Sequence, residues 1–181
     1  MSELVERARV FALEAHKSQK RFNKDKTPLA THIEEVATLV EQSGGNEVEI
    51  AAAWLHDVVE DTSRSLENIR DNFGEEVARI VDGLTDPPEF NGMHTLERKI
   101  AQARRVSDES DSVKRVKIAD QISNVRSVAV DPPVKWDSRK CLAYANGAEL
   151  VVWECKEASG RLYGLFCRAF DDAVKAHTKM V

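Results

Sequence analysis

Four side chains able to bind a metal or move a proton, His56, Asp57, Glu60 and Asp61, fall within six residues of the segment running from Ala51 to Thr62. Ala51, Ala52, Ala53, Trp54 and Leu55 precede them and Val58 and Val59 lie between them, so the segment reads as a buried helix. On such a helix the residues His56, Glu60, Asp57 and Asp61 stand at about 0°, 40°, 100° and 140° around the axis, which puts all four on one side. Three carboxylates sharing a buried wall repel one another unless a cation sits against them. That predicts a divalent metal. His56 and Asp57 offer a nitrogen and an oxygen, but sequence neighbours cannot complete a coordination sphere, so further ligands must come from other helices. The bland alternative is a solvated helix end with His56 in the core.

Two other segments can supply those ligands. His32 follows Thr27-Pro28 on a predicted helix from about Leu29 to Ser43, among Ile33, Val36, Ala37 and Val40, and that helix ends at Gly44-Gly45. Alone, such a histidine belongs to the core; His56-Asp57 one helix later makes it a ligand candidate. Asp120 lies in a predicted buried helix with Val113, Val116, Ile118, Ile122 and Val125, and Asn124 stands four residues on, over the same face. A salt bridge to Lys117 or Arg126 would account for Asp120 taken alone. Taken with His32, His56 and Asp57, it becomes a fourth ligand.

The rest of the chain reads as scaffold. Periodicity near 3.6 dominates, with no convincing alternating strand. Ser2 caps a first helix to about Lys17 with Val5, Ala8, Phe11, Ala12 and Ala15 inward, and His16 near its end is expected to be partly exposed. A basic loop follows, with Lys17, Lys20, Arg21, Lys24 and Lys26, beside the His32 helix; by that position its cations can hold phosphates, and Arg21 can stack on a base. Helices are predicted over Leu66 to Phe73, Glu75 to Leu84, Leu96 to Val106, Ser138 to Ala158 and Arg161 to Lys175, and His94 is expected to be exposed. The last two close the core with Leu142, Ala145, Leu150, Trp153, Leu165, Phe166 and Phe170, while Tyr144 faces either core or cavity.

Composition sets limits. The 181 residues suit one domain with a substantial core, and 42% hydrophobic with 31% charged residues is ordinary for a globular chain. The net charge of −5 argues against bulk nucleic-acid binding. There is no secretory leader and no run of about 20 apolar residues, so neither a membrane span nor export is expected, and the cytoplasm is the expected compartment. Cys141, Cys155 and Cys167 are odd in number and form no CxxC pair, as reduced packing cysteines would.

The set His32, His56-Asp57 and Asp120 resembles the H…HD…D signature of the HD-domain phosphohydrolases. More narrowly, the chain is similar to the hydrolase domain of the Rel/SpoT alarmone enzymes and their stand-alone relatives, including the metazoan Mesh proteins. The segments that carry this are Leu55 to Thr62, Phe73-Gly74, Val81 to Thr85, Leu96 to Lys99, and Lys117 to Asp120 with Asn124 and Arg126, spanning about residues 10 to 150. The family usually has proline where this chain has Ile33 and histidine where it has Ser123. Neither departure touches a proposed ligand, whereas the Cys141 to Tyr144 segment matches only loosely.

The resemblance implies an all-α HD-type bundle of about eight to ten helices, a single domain over residues 1–181, and one Mn2+ held by His32, His56, Asp57 and Asp120. It implies hydrolysis of the 3′-pyrophosphate of guanosine alarmones to pyrophosphate and a nucleoside 5′-di- or triphosphate. Glu60 and Asp61 would orient water and move protons; Arg21, Lys20, Asn124 and Tyr144 would contact the nucleotide. With no synthetase segment, we expect a hydrolase acting alone on a small-molecule substrate, without nucleic acid or membrane, and the sequence leaves a homo-oligomer open. Alternatives are adenosine analogues, another HD nucleotidase or dinucleotide 2′-phosphatase, and a non-catalytic nucleotide-sensing or antitoxin-like module.

Overall fold

The computed structural model describes residues 2–178, which form ten α-helices and two short 3₁₀ turns with no strand among them. In order these are α1 (Glu3–Ala15), α2 (Ala30–Gln42), α3 (Glu47–Leu55), α4 (Val58–Asp61), α5 (Leu66–Phe73), α6 (Glu75–Leu84), α7 (Thr95–Val106), α8 (Asp111–Val130), α9 (Ser138–Cys155) and α10 (Gly160–Thr178). The all-α expectation holds. None of these helices is long and apolar enough to cross a membrane.

Helix starts follow local chemistry. Ser2, Ser110 and Asp137 accept a bond from the third residue of the helix they open, and Asn46 with Glu49 forms a reciprocal capping box. Between α5 and α6, Gly74 has φ +88°, a conformation that L side chains rarely adopt, so the two helices can follow each other with no other linker.

Helix α8 is the axis of the bundle. It is buried on nearly every side, from Val113 through Ile118, Ile122 and Val128, because α2, α6, α9 and α10 all pack on it. Helix α3 lies against α1, α2 and α6, which buries Ala51 to Leu55 completely or nearly so. One hydrophobic cluster runs through all of these elements.

Three expectations change. The segment Ala51 to Thr62 is not one helix: α3 ends at Leu55 and α4 begins at Val58. The His56 ring Nδ1 bonds the Ala53 carbonyl at 2.8 Å, the acceptor that the Asp57 amide would use in an unbroken helix, and Asp57 turns to φ −95°, ψ −5°. His16 is buried at 1% exposure rather than partly exposed, because it caps α1 beneath the following loop. Leu150 and Trp153 lie on the outer face of α9 at 44% and 55% exposure, with the Lys156 ammonium over the Trp153 ring, so neither closes the core. His94 is exposed as expected, and of the three free cysteines Cys141 and Cys155 are buried while Cys167 is exposed.

Candidate metal centre and cavity

The break after Leu55 turns His56 and Asp57 toward α2 and α8. Each brings one donor group. His32 Nε2 lies 3.2 Å from His56 Nε2, 3.5 Å from Asp57 Oδ2 and 3.5 Å from Asp120 Oδ1. His56 Nε2 lies 3.3 Å from Asp57 Oδ1 and 4.0 Å from Asp120 Oδ1. His32, His56 and Asp57 can each turn one ligand atom to within 4.8 Å of the others.

Hydrogen bonding assigns the tautomers. The Ala53 carbonyl can only accept, so His56 carries its proton on Nδ1. Ser123 Oγ donates to Glu35 Oε2 at 2.6 Å and accepts from His32 Nδ1 at 2.9 Å; Arg126 then holds Glu35 through a 2.7 Å bond. Both histidines thus turn their Nε2 atoms toward each other, beside two carboxylates. That arrangement repels itself unless a proton or cation enters, and it fits a divalent metal bound by nitrogen and oxygen. The electrostatics agree. Burial opposes a charge on His56, yet Asp57 and Asp120 push its pKa to about 9. Burial likewise opposes ionising Asp57, yet His56 and His32 hold its carboxyl well below the usual range.

Asp120 makes no salt bridge with Lys117 or Arg126. Its Oδ1 accepts from Asn124 at 2.6 Å and its Oδ2 from Gln121 at 2.7 Å, while Lys117 binds the Leu84 carbonyl and Arg126 binds Glu35. Gln121 in turn accepts from the buried Lys99 ammonium at 2.6 Å.

These groups open on a cavity of about 640 Å³, within the usual size range for small-molecule sites. The acids are therefore not a buried wall: the side chains of Asp57 and Glu60 are each 24% exposed to it. Glu60 accepts from the Asp86 amide at 2.5 Å and from Arg98 at 3.3 Å; burial raises its pKa to about 7 against the pull of that amide. Asp61 is raised too, by burial and by Asp57.

Beside the cluster, Arg21 donates to Asn124 Oδ1 at 3.2 Å and Asn124 donates to Asp120, so both predicted substrate residues share one wall with Asp120. Lys20 lines the rim with an exposed side chain. Tyr144 faces the cavity, its ring 4.7 Å from the Lys99 ammonium and 5.2 Å from the Trp136 ring. Three cavity cations were not singled out by the sequence: Arg98, Lys99 and Lys117. Arg98 and Lys99 belonged to a helix that read as charge-rich, and Lys117 entered only as a possible partner of Asp120, whereas Lys99 and Lys117 are 6% and 8% exposed.

The HD domain family matches residues 8–143. The guanosine-3′,5′-bis(diphosphate) 3′-pyrophosphohydrolase MESH1 of Xenopus tropicalis is 34% identical over 171 residues, covering 93% of this chain and 94% of that protein. A probable guanosine-3′,5′-bis(diphosphate) 3′-pyrophosphohydrolase of Synechocystis is 40% identical over 135 residues, 73% of this chain but 18% of that longer protein. In structure, the chain is similar to a metazoan ortholog of SpoT that hydrolyzes ppGpp, with a TM-score of 0.87 and 28% identity over 94% of this chain and 96% of the other.

Proposed function

The chain belongs to the HD domain family, and from that premise we propose that it is a metal-dependent phosphohydrolase that removes the 3′-pyrophosphate of guanosine-3′,5′-bis(diphosphate). The observation that carries this reading is the pair of facing imidazole Nε2 atoms at 3.2 Å, flanked by Asp57 and Asp120, in the wall of a cavity large enough for a nucleotide.

His32, His56, Asp57 and Asp120 would hold the ion, which we take to be manganese. The chemistry that ion supplies is Lewis acidity, acidifying a water and offsetting negative charge on the phosphoryl oxygens. Glu60, with a pKa raised to about 7, is matched to accept a proton from that water near neutral pH. The water oxygen forms a bond to phosphorus, the bond from phosphorus to the ribose 3′ oxygen breaks, and the leaving oxygen takes up a proton, for which Asp61 is the donor candidate. Arg98, already held by Asp86 and Glu60, together with Lys99 and Lys117 would neutralise the phosphates. Arg21 would stack on the base, Asn124 would bind the ribose, and Lys20 and Tyr144 would close the nucleotide end.

The test is direct. The protein, stripped by chelator and reloaded with manganese, magnesium or zinc, is incubated with guanosine and adenosine 3′-pyrophosphates and with a dinucleotide 2′-phosphate. Ion-exchange chromatography and a colorimetric phosphate assay identify the products. Manganese-dependent release of pyrophosphate from the guanosine compound is expected. Release of inorganic phosphate alone, or tight binding without product, would replace the reading with a phosphatase or a binding module.

A further inference from the structure

The buried His16 is absent from the mechanism, yet the bonds around it fix which of its ring nitrogens faces Gln19. Gln19 donates through its side-chain nitrogen to the Asp61 carbonyl at 2.6 Å. A carbonyl only accepts, so the Gln19 amide is oriented with its oxygen turned away from Asp61. That oxygen is bonded to His16 Nδ1, which must therefore carry the proton. His16 Nε2 is left buried and without a hydrogen-bond partner. An unpaired buried polar atom is a cost that a purely packing residue of this size, such as phenylalanine, would avoid.

The part served by this arrangement is Asp61. Helix α4 has four residues, too few to hold themselves, and its last residue is Asp61. The carbonyl at that end has no successor in the helix, and Gln19 supplies its partner from across the fold. Gln19 also bonds the His16 carbonyl through its own backbone amide at 2.9 Å and accepts from the Leu29 amide at 3.0 Å, at the start of the helix that carries His32. One residue thus ties the end of α1 and the entry to α2, through its backbone, to the end of α4, through its side chain.

We propose that His16 is a positioning residue for Asp61, acting through the Gln19 amide: its Nδ1–H fixes which way that amide faces, and the amide fixes the end of α4. The proposal rests on the reading that Asp61 works in the reaction. It assigns His16 no contact with substrate.

The experiment measures kcat, KM and bound metal for His16→Phe, His16→Asn, Gln19→Leu, Asp61→Asn and the double variant His16→Phe/Asp61→Asn. Phenylalanine keeps the bulk and removes the donor; asparagine places an N–H where Nδ1 stands. His16→Phe and Gln19→Leu should each lower kcat by about 10- to 100-fold, as misplacement of a reacting group does, with KM and metal stoichiometry unchanged. His16→Asn should recover most of that loss. In the Asp61→Asn background His16→Phe should add almost nothing, because it acts through the group already removed. Should His16→Phe fail to fold, Gln19→Leu and its double variant with Asp61→Asn report on the same chain of bonds with the imidazole intact. Additive losses in the double variant, or no rescue by asparagine, overturn the clamp while leaving Asp61 in the reaction. Full activity in Asp61→Asn overturns the role of Asp61, and the clamp with it.

Discussion

His32 and His56 point their Nε2 atoms at each other across 3.2 Å, and neither ring can turn away, because its Nδ1 is bonded behind it. For His56 the anchor is backbone. For His32 it is the Ser123 hydroxyl, second in a chain that continues through Glu35 to Arg126. Ser123→Ala removes that anchor without touching the cavity, so metal affinity should weaken about 10- to 100-fold. Titration calorimetry with manganese checks this, and an unchanged dissociation constant would show that packing alone aims the His32 ring.

Asp120 contributes one oxygen near both histidines while amides hold each of its oxygens. Asp120→Ala should abolish metal binding and turnover together. Metal content by mass spectrometry beside the pyrophosphate assay decides it: a metal-replete, active variant would take Asp120 out of the ligand set.

Glu60 is set for proton transfer by the burial that raises its pKa to about 7. A general base works ionised, so kcat should fall as pH drops through that value; a bound cation favours the carboxylate and moves the fall lower. Glu60→Gln should keep the metal, lose about 10²-fold in kcat and lose this acidic limb. Retention of the limb in the variant would assign it to another group.

Much of this was legible because it is local. The period near 3.6, the cap at Ser2 and the stop at Gly44-Gly45 are encoded within a few residues of where they act, and the helices they predict lie within a few residues of those observed. His32, His56, Asp57 and Asp120 stood out because ligating side chains beside apolar ones are rare. What was not legible depends on distant partners. The break after Leu55 needs the His56 ring to compete for a carbonyl, which periodicity does not register. Lys99 read as a charge on a solvated helix because it is the packing of α9 on α7 that buries it. His16 looked like a helix end because the loop that covers it has no pattern of its own.

Lys99 carries the clearest pH signature outside the metal cluster. Burial lowers its pKa from 10.5 to about 8, so the folded state disfavours its charge. The cost is fully present below pH 8 and is relieved as pH rises toward 10.5, where the unfolded chain also loses the proton. Lys99→Met should therefore raise the melting temperature of the substrate-free protein by about 2–4 °C at pH 7, with the gain shrinking between pH 8 and 10.5. It should also weaken nucleotide binding. A gain that does not change with pH would trace the effect to packing rather than to charge.

Gly147 gives the most counterintuitive expectation. It sits inside α9, where alanine is ordinarily better by about 1 kcal/mol. Here a Cβ would lie 2.7 Å from Lys99 Cγ and 2.8 Å from Lys99 Cβ, atoms too close to the backbone of α7 to swing aside. The glycine lets α7 approach α9 so that the Lys99 stem lies along the helix and its ammonium reaches Gln121 and the Tyr144 ring. Gly147→Ala should therefore lower the melting temperature despite its higher helix propensity, and should raise KM for the nucleotide more than Lys99→Met does, because it moves the helix and not one charge. Thermal unfolding and steady-state kinetics on the two variants test this, and a stabilised Gly147→Ala protein with normal KM would mean that the two helices part freely and that the glycine has no part in seating Lys99.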